Sequence, residues 1–356
     1  MRTALVVIPC LLAAPLAAQQ PERFQLQGDE VAVYNLVGAV SVEAGTGPVA
    51  VELTRTGRDA AKLRVEQGEV RDAEALRVIY PAETILAPTL GAGSSTTLRV
   101  HEDGTFGDGD WDHARHHRDA EEHSHRIEIR GSGSGLEAGA DLRIRVPAGR
   151  RVAVYLAVGK VSVANVQGEL RVDAHSAPVT ATGVKGELTV DVGSGEVRVT
   201  DGEGVLNVDT GSGTVQVSRF KGRDLTVDTG SGNVNGTELT ADRMSVETGS
   251  GDIELAAVSA PSVSLETGSG TVRADLRTAV QSLSVETGSG DVALTALPTL
   301  DAEVEIETSS GDIESDFPLQ VTRHARDHLV GRIGSGKGRI AVETGSGDVR
   351  LIKRPG

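Results

Sequence analysis

From Leu188 onward the chain alternates apolar and polar residues in short runs, and the runs return at a nearly fixed interval. In Leu225-Thr226-Val227-Asp228, and again at Val234 beyond a glycine-rich corner, every second side chain is apolar, which marks strands with one buried face. The pattern apolar-x-apolar-acid-Thr-Gly-Ser-Gly-x-apolar recurs with its acid at Asp191, Asp209, Asp228, Glu247, Glu266, Glu286, Glu307 and Glu343. Successive gaps are 18, 19, 19, 19, 20, 21 and then 36, twice 18. Weaker copies precede these around Asp173 and Tyr155.

A unit of about 19 residues with two strands and two turns is too short for a strand–helix–strand crossover, which needs about 30. It suits one coil of a solenoid, and in register the apolar positions stack like with like. Val190, Val208, Val227, Val246, Leu265, Val285, Ile306 and Val342 form one column, Leu188 to Ile340 a second and Val197 to Val349 a third. The sequence therefore predicts an all-β protein, a parallel β-solenoid of about ten coils from roughly Arg143 to Leu351, with an irregular N-terminal β region. The Gly-Ser-Gly corner has a mechanical reason, since a tight turn needs positive φ and hydroxyls can satisfy its backbone groups.

Outside the repeats the pattern changes. Ala4–Ala18 is an apolar run behind Met1 and Arg2 with small residues before Gln20, so residues 1–19 read as a signal peptide. The run is shorter than the about 20 residues that span a bilayer, and no second one follows. This predicts an exported chain, periplasmic or at the cell surface or outside, with no transmembrane segment after cleavage. Residues 20–142 read as an N-terminal β cap region, with strand pairs in Val31–Leu36 and Val40–Leu53 and a His/Asp-rich loop at about 90–134. Residues 143–356 are the solenoid domain, interrupted at about 317–339, where Leu329–Ile340 resembles a β-hairpin that caps or flanks the last coil.

Composition narrows the chemistry. The single cysteine, Cys10, lies inside the expected leader, leaving no thiol for disulfides or redox work. A net charge of −16 disfavours nucleic acid and anionic membranes and favours cations or basic partners. With 44 glycines and eight aromatics, the chain suits a stack of similar short strands better than a conventional core.

The tandem Thr-Gly-Ser-Gly-Asp-apolar units at Thr248–Ile253, Thr287–Val292 and Thr344–Val349, with the Tyr34-Asn-Leu-Val-Gly-Ala-Val-Ser-Val segment, resemble the bacterial putative-adhesin family of β-strand-repeat proteins. The resemblance covers about Val31 to Leu351. It implies a β-solenoid of the cell envelope, a domain of unknown function to which adhesion is assigned by analogy, and it brings no catalytic residues.

Several residue sets are candidates for chemistry. The acids Asp209, Asp228, Glu247, Glu266, Glu286 and Glu307, with Asp173, Asp191 and Glu343, fall in one outward column, where like charges about 5 Å apart repel. Ca²⁺ between coils, helped by Glu196, Asp252, Asp291, Asp312 and Asp348, is one way to screen them. Splayed side chains, water and Arg198, Arg273 and Arg350 are the other. His113, His116, His117, His123 and His125, with His101 and the acids around Asp108–Asp112, form a tract of the composition that binds Zn²⁺, or equally a solvated loop. Asp108–Asp119 departs from a calcium loop at His113 and at Asp119, and Trp111 is either a surface contact or packs on the scaffold. The Thr column from Thr210 to Thr344 falls by parity on the inward side, against an ice-binding array. No Ser has a His at a fixed offset, and no Gly-Lys-Ser or Gly-Lys-Thr occurs. The leading expectation is a non-enzymatic envelope protein, adhesin-like or structural, which presents an acidic Ser/Thr-rich surface to a protein or polysaccharide. A carbohydrate-processing β-helix enzyme and a metal-binding envelope protein are the alternatives.

Overall fold

The protein is described by a computed structural model over residues 21–107, 124–325 and 327–355. It is all-β, solenoid-like and parallel, with no α-helix among the described residues and two short 3₁₀ turns, Ala60–Lys62 and Pro88–Leu90.

Alternation and period together produce the stack. Leu206 pairs with Leu225, Val208 with Val227 and Thr210 with Thr229. One repeat on, Leu225 pairs with Met244 and Val227 with Val246 in the same parallel register. A shift of one residue would turn every valine out to solvent, so burial fixes the register. The first two predicted columns are buried along their whole length, and in the third only Ile313, near the end of the stack, is half-buried.

Two corners close each repeat. At the Gly-Ser-Gly corner the coils approach so closely that a Cβ built on Gly251, where φ is +155°, lies 2.2 Å from the Gly232 carbonyl oxygen. The opposite corner is turned by one residue in the left-handed region: Asn165, Asp201, Arg219, Glu238 and Ala257, at φ 52° to 58°, and Gly183 at 68°. Such a conformation costs a non-glycine residue roughly 1–3 kcal/mol, and it persists because the ladders on both sides determine it.

The threonine after the acid points inward and is buried in seven repeats. Thr248 Oγ1 donates to the Gly232 carbonyl at 3.1 Å and Thr267 Oγ1 to that of Gly251 at 3.0 Å, tying each corner to the coil before it. Thr210 and Thr229 are equally buried, but their hydroxyls have no partner among the described residues. Losing a hydrogen bond costs about 1 kcal/mol, whereas removing an unpaired buried hydroxyl costs little or stabilises. Thr267→Val should therefore melt about 3 °C below Thr229→Val by calorimetry; equal melting temperatures would show that the corner bond carries no weight.

At the N-terminal end the Glu30–Ala44 strand lies parallel to Arg150–Ala164, with Val31 on Val152 and Tyr34 on Tyr155, so it is an integral layer of the stack. Ala73–Ile79 and Gly139–Val146 pair with its far edge, and antiparallel strands close the end. Asn35 is fully buried there; its Nδ2 donates to the Ala140 carbonyl at 2.7 Å and its Oδ1 accepts from the Tyr80 hydroxyl at 2.8 Å. Within the 90–134 excursion, Ser95–His101 and Ser124–Arg130 are antiparallel strands that join Thr84–Leu86 in a separate three-stranded sheet.

At the C-terminal end the spatial order departs from the chain order, and one expectation is corrected. Gly338–Ser346 pairs on one edge with Ser282–Thr287 and on the other with Ala302–Ser310, so the last repeat in sequence sits between the two that precede it. Leu329–Ile340 does not form a hairpin. Its halves lie on opposite edges of Ala302–Ser310, antiparallel for His328–Ile333 and parallel for Gly338–Ser346. The hairpin pairs Gln320–His324 with His328–Ile333 and lies outside the 302–315 coil. Near-identical repeats allow this order, because each coil presents the same edges to any neighbour.

Candidate functional site

The acids sit where the alternation places them, on the outer face one residue beyond the first buried column. In spatial order they run Asp173, Asp191, Asp209, Asp228, Glu247, Glu266, Glu286, Glu343 and Glu307, the last two exchanged by the inserted repeat. Parallel strands set the side chains at about 4.8 Å per coil.

The column has a closed head and an open body. At the head, Tyr34 and Tyr155 occupy the acid's position and stack at 4.4 Å between centroids, with Phe106 edge-on to both. The Arg171 guanidinium lies 3.9 Å from Asp173 and 3.8 Å from Asp191. From Asp209 to Glu307 the seven acids are exposed and make no ion pair among the described residues. Repulsion registers on two of them: burial and the neighbouring Asp228 charge push the Asp209 carboxyl up, and Asp228 and Glu266 push Glu247 up. Beside the column, Thr226, Ser245, Ser264 and Ser284 face outward and are exposed.

The residues beyond the corner do different work. Asp252 N–H donates to Asn233 Oδ1 at 3.0 Å, and Thr271 N–H to Asp252 Oδ1 at 2.7 Å. Asp348 and Asp312 continue this ladder at 2.9 and 3.0 Å across the inserted repeat. One oxygen of Asp252, Asp291 and Asp348 thus accepts from the next coil's amide. Arg198 and Arg350 do not screen the acid column. Arg198 pairs with Glu196 at 2.6 Å and Arg350 with Glu314 at 3.1 Å, because side chains beyond the corner belong to the other face. Arg273 makes no ion pair among the described residues.

Residues 129–352, well over half of the chain, match the family model described as Toastrack DUF4097. The chain belongs to the Toastrack DUF4097 family. Among solved structures, this Toastrack chain is similar to a "putative adhesin" from Bacteroides fragilis, at 12% identity and a TM-score of 0.36, over 93% of this chain and 96% of that one. It is also similar to a "putative cell adhesion protein" from Clostridium sporogenes, at 9% identity and a TM-score of 0.20, over 94% of this chain and 99% of that one. No curated protein matches it.

Of the metal candidates in this Toastrack chain, His113, His116, His117 and His123 lie outside the described residues, as do Trp111 and the Asp108–Asp119 segment. His125 is exposed on the Ser124–Arg130 strand and pairs with Val100. Among the described residues no three His, Cys, Asp or Glu side chains converge on a metal-sized site. No helix of the described residues is long and apolar enough to cross a membrane.

The acid column itself makes a prediction. Glu247 has its carboxyl pushed up in the folded state, so its penalty appears as pH rises through that value and fades as pH falls. Glu247→Gln should raise the melting temperature at pH 7 by about 1–2 °C, with the gain gone near pH 3 and reduced in 0.5 M salt. A gain of the same size at pH 3 would mean that relief of charge repulsion is not its source.

Proposed function

We propose that this protein is an exported, non-enzymatic envelope scaffold, adhesin-like in its mode of action, that binds basic or polyhydroxylated partners along its acidic Ser/Thr-rich face. The observation that carries the reading is the run of seven exposed carboxylates without an ion pair among the described residues, at one per coil, flanked by exposed hydroxyls. Charges that repel one another in the free protein gain most when a partner neutralises them. A rigid stack, which we read as about ten coils, holds the contacts in register, so many weak ones add as one. Residues 1–19 supply the export signal on this reading, and the partner is an envelope or surface protein or a polysaccharide. Family membership and the acidic net charge are consistent with it.

The test compares the parent with a variant carrying D209N, D228N, E247Q, E266Q and E286Q, using a lysine-rich peptide and purified envelope polysaccharide on a biosensor. Loss of at least about tenfold in affinity for one ligand is expected, with the parent's binding to the peptide weakening between 50 and 500 mM NaCl. Equal binding by a variant with unchanged circular dichroism would sink the proposal.

A further inference from the structure

The inserted repeat splits the C-terminal end into a module with a single docking edge. Among the described residues, Ala302–Ser310 and Ile313–Ser315 pair only with 320–353: with His328–Ile333 on one side, and with Gly338–Ser346 and Val349–Lys353 on the other. Among the described residues, the strands of this module meet the rest of the stack through one coil, Ser282–Thr287 against Arg339–Thr344 and Val292–Ala296 against Val349–Lys353, while the Arg354 side chain just beyond it reaches Asp275 and the Leu276 carbonyl of the coil before. Thr344 Oγ1 donates to the Gly290 carbonyl at 3.2 Å, Asp348 N–H to Asp291 Oδ1 at 2.9 Å and Arg354 N–H to the Ala296 carbonyl at 2.9 Å. The covalent link is residues 297–301, Leu-Pro-Thr-Leu-Asp, five residues that step over the inserted coil.

This order constrains assembly. Residues 338–353 are hydrogen-bonded on both edges, so they cannot enter between two docked coils. The 302–333 segment must stand away until 338–353 has joined it or the body. During that interval the Ser282–Ala296 edge is an open parallel ladder, the kind of edge that recruits another chain. The surface that fits it is the outer edge of the module, and every copy of the chain carries one.

We propose that the 302–353 module is exchanged between two copies of this chain, each copy's Gly338–Lys353 strands docking on the other's Ser282–Ala296 edge. The exchanged interface repeats the strand pairing of the closed monomer, so exchange costs mainly association entropy, and a short link containing Pro298 favours it over a tight return. This stands independently of the binding role of the acid column.

Engineered thiols test it in the full chain. Ser284 and Ala341 are register partners across the docking edge. Two chains, each with Cys10→Ser, one carrying Ser284→Cys and the other Ala341→Cys, are refolded together and oxidised. The expected result is a covalent species of twice the chain's mass, at least tenfold above the yield from Ser284→Cys mixed with Thr226→Cys, whose positions are not partners. Dimer at the background yield, while Ser284→Cys/Ala341→Cys in one chain closes within its own copy, overturns exchange. Failure of that double variant to close at all overturns the docking edge itself.

Discussion

Gly251→Val is expected to lower the melting temperature by roughly 5–15 °C, with Ser250→Ala beside it shifting it by no more than about 2 °C. The Cβ of any residue at 251 falls 2.2 Å from the Gly232 carbonyl oxygen and 2.6 Å from its carbon, both backbone atoms in the preceding coil. A side chain can be accommodated only by parting the ladder. The φ of +155° adds a conformational penalty that is greatest for a β-branched residue. Together these amount to about 3–5 kcal/mol, against an exposed serine whose side chain touches little. Gly249 behaves similarly on a smaller scale, since a Cβ there lies 2.5 Å from the Gly230 carbonyl oxygen. Calorimetry of the three variants checks the order, and a Gly251→Val chain that melts with the parent would mean that the coils do not touch at this corner.

That contact is legible in the sequence because a repeated glycine at a fixed phase has few physical explanations. The same holds for the valine columns, the outward acids and the inward threonines, which follow from period-two alternation alone. The opposite corner leaves a fainter trace. Asn165 and Asp201 belong to types that tolerate the left-handed region, but Arg219, Glu238 and Ala257 reach it because the ladders on either side leave no other path. The Asx column after the glycine is visible in the sequence, but its use is not: Asn233 and Asp252 accept backbone N–H bonds from the next coil, which a sequence cannot distinguish from oxygen ligands awaiting a cation. Arg198 and Arg350 lie near the acids in sequence, yet the corner sends them to a different face.

Spatial order is the least legible property, and it sets the expected result for Val342→Asp. Were the coils stacked in sequence order, a lesion at Val342 would loosen only the last repeat. Val342 is instead buried between Val285 and Ile306, and among the described residues the strands of the 302–315 coil and its hairpin reach the body only through 338–353. A carboxylate placed there without a partner costs about 3–5 kcal/mol, which is at least a hundredfold in local opening. Hydrogen exchange should therefore accelerate by a hundredfold or more across 302–333, upstream of the substitution, as well as across 338–353. Amides between 150 and 260 should keep their protection, because their ladders do not pass through the inserted coil. Acceleration confined to 338–353, with 302–315 still protected, would mean that the two repeats stack in sequence order.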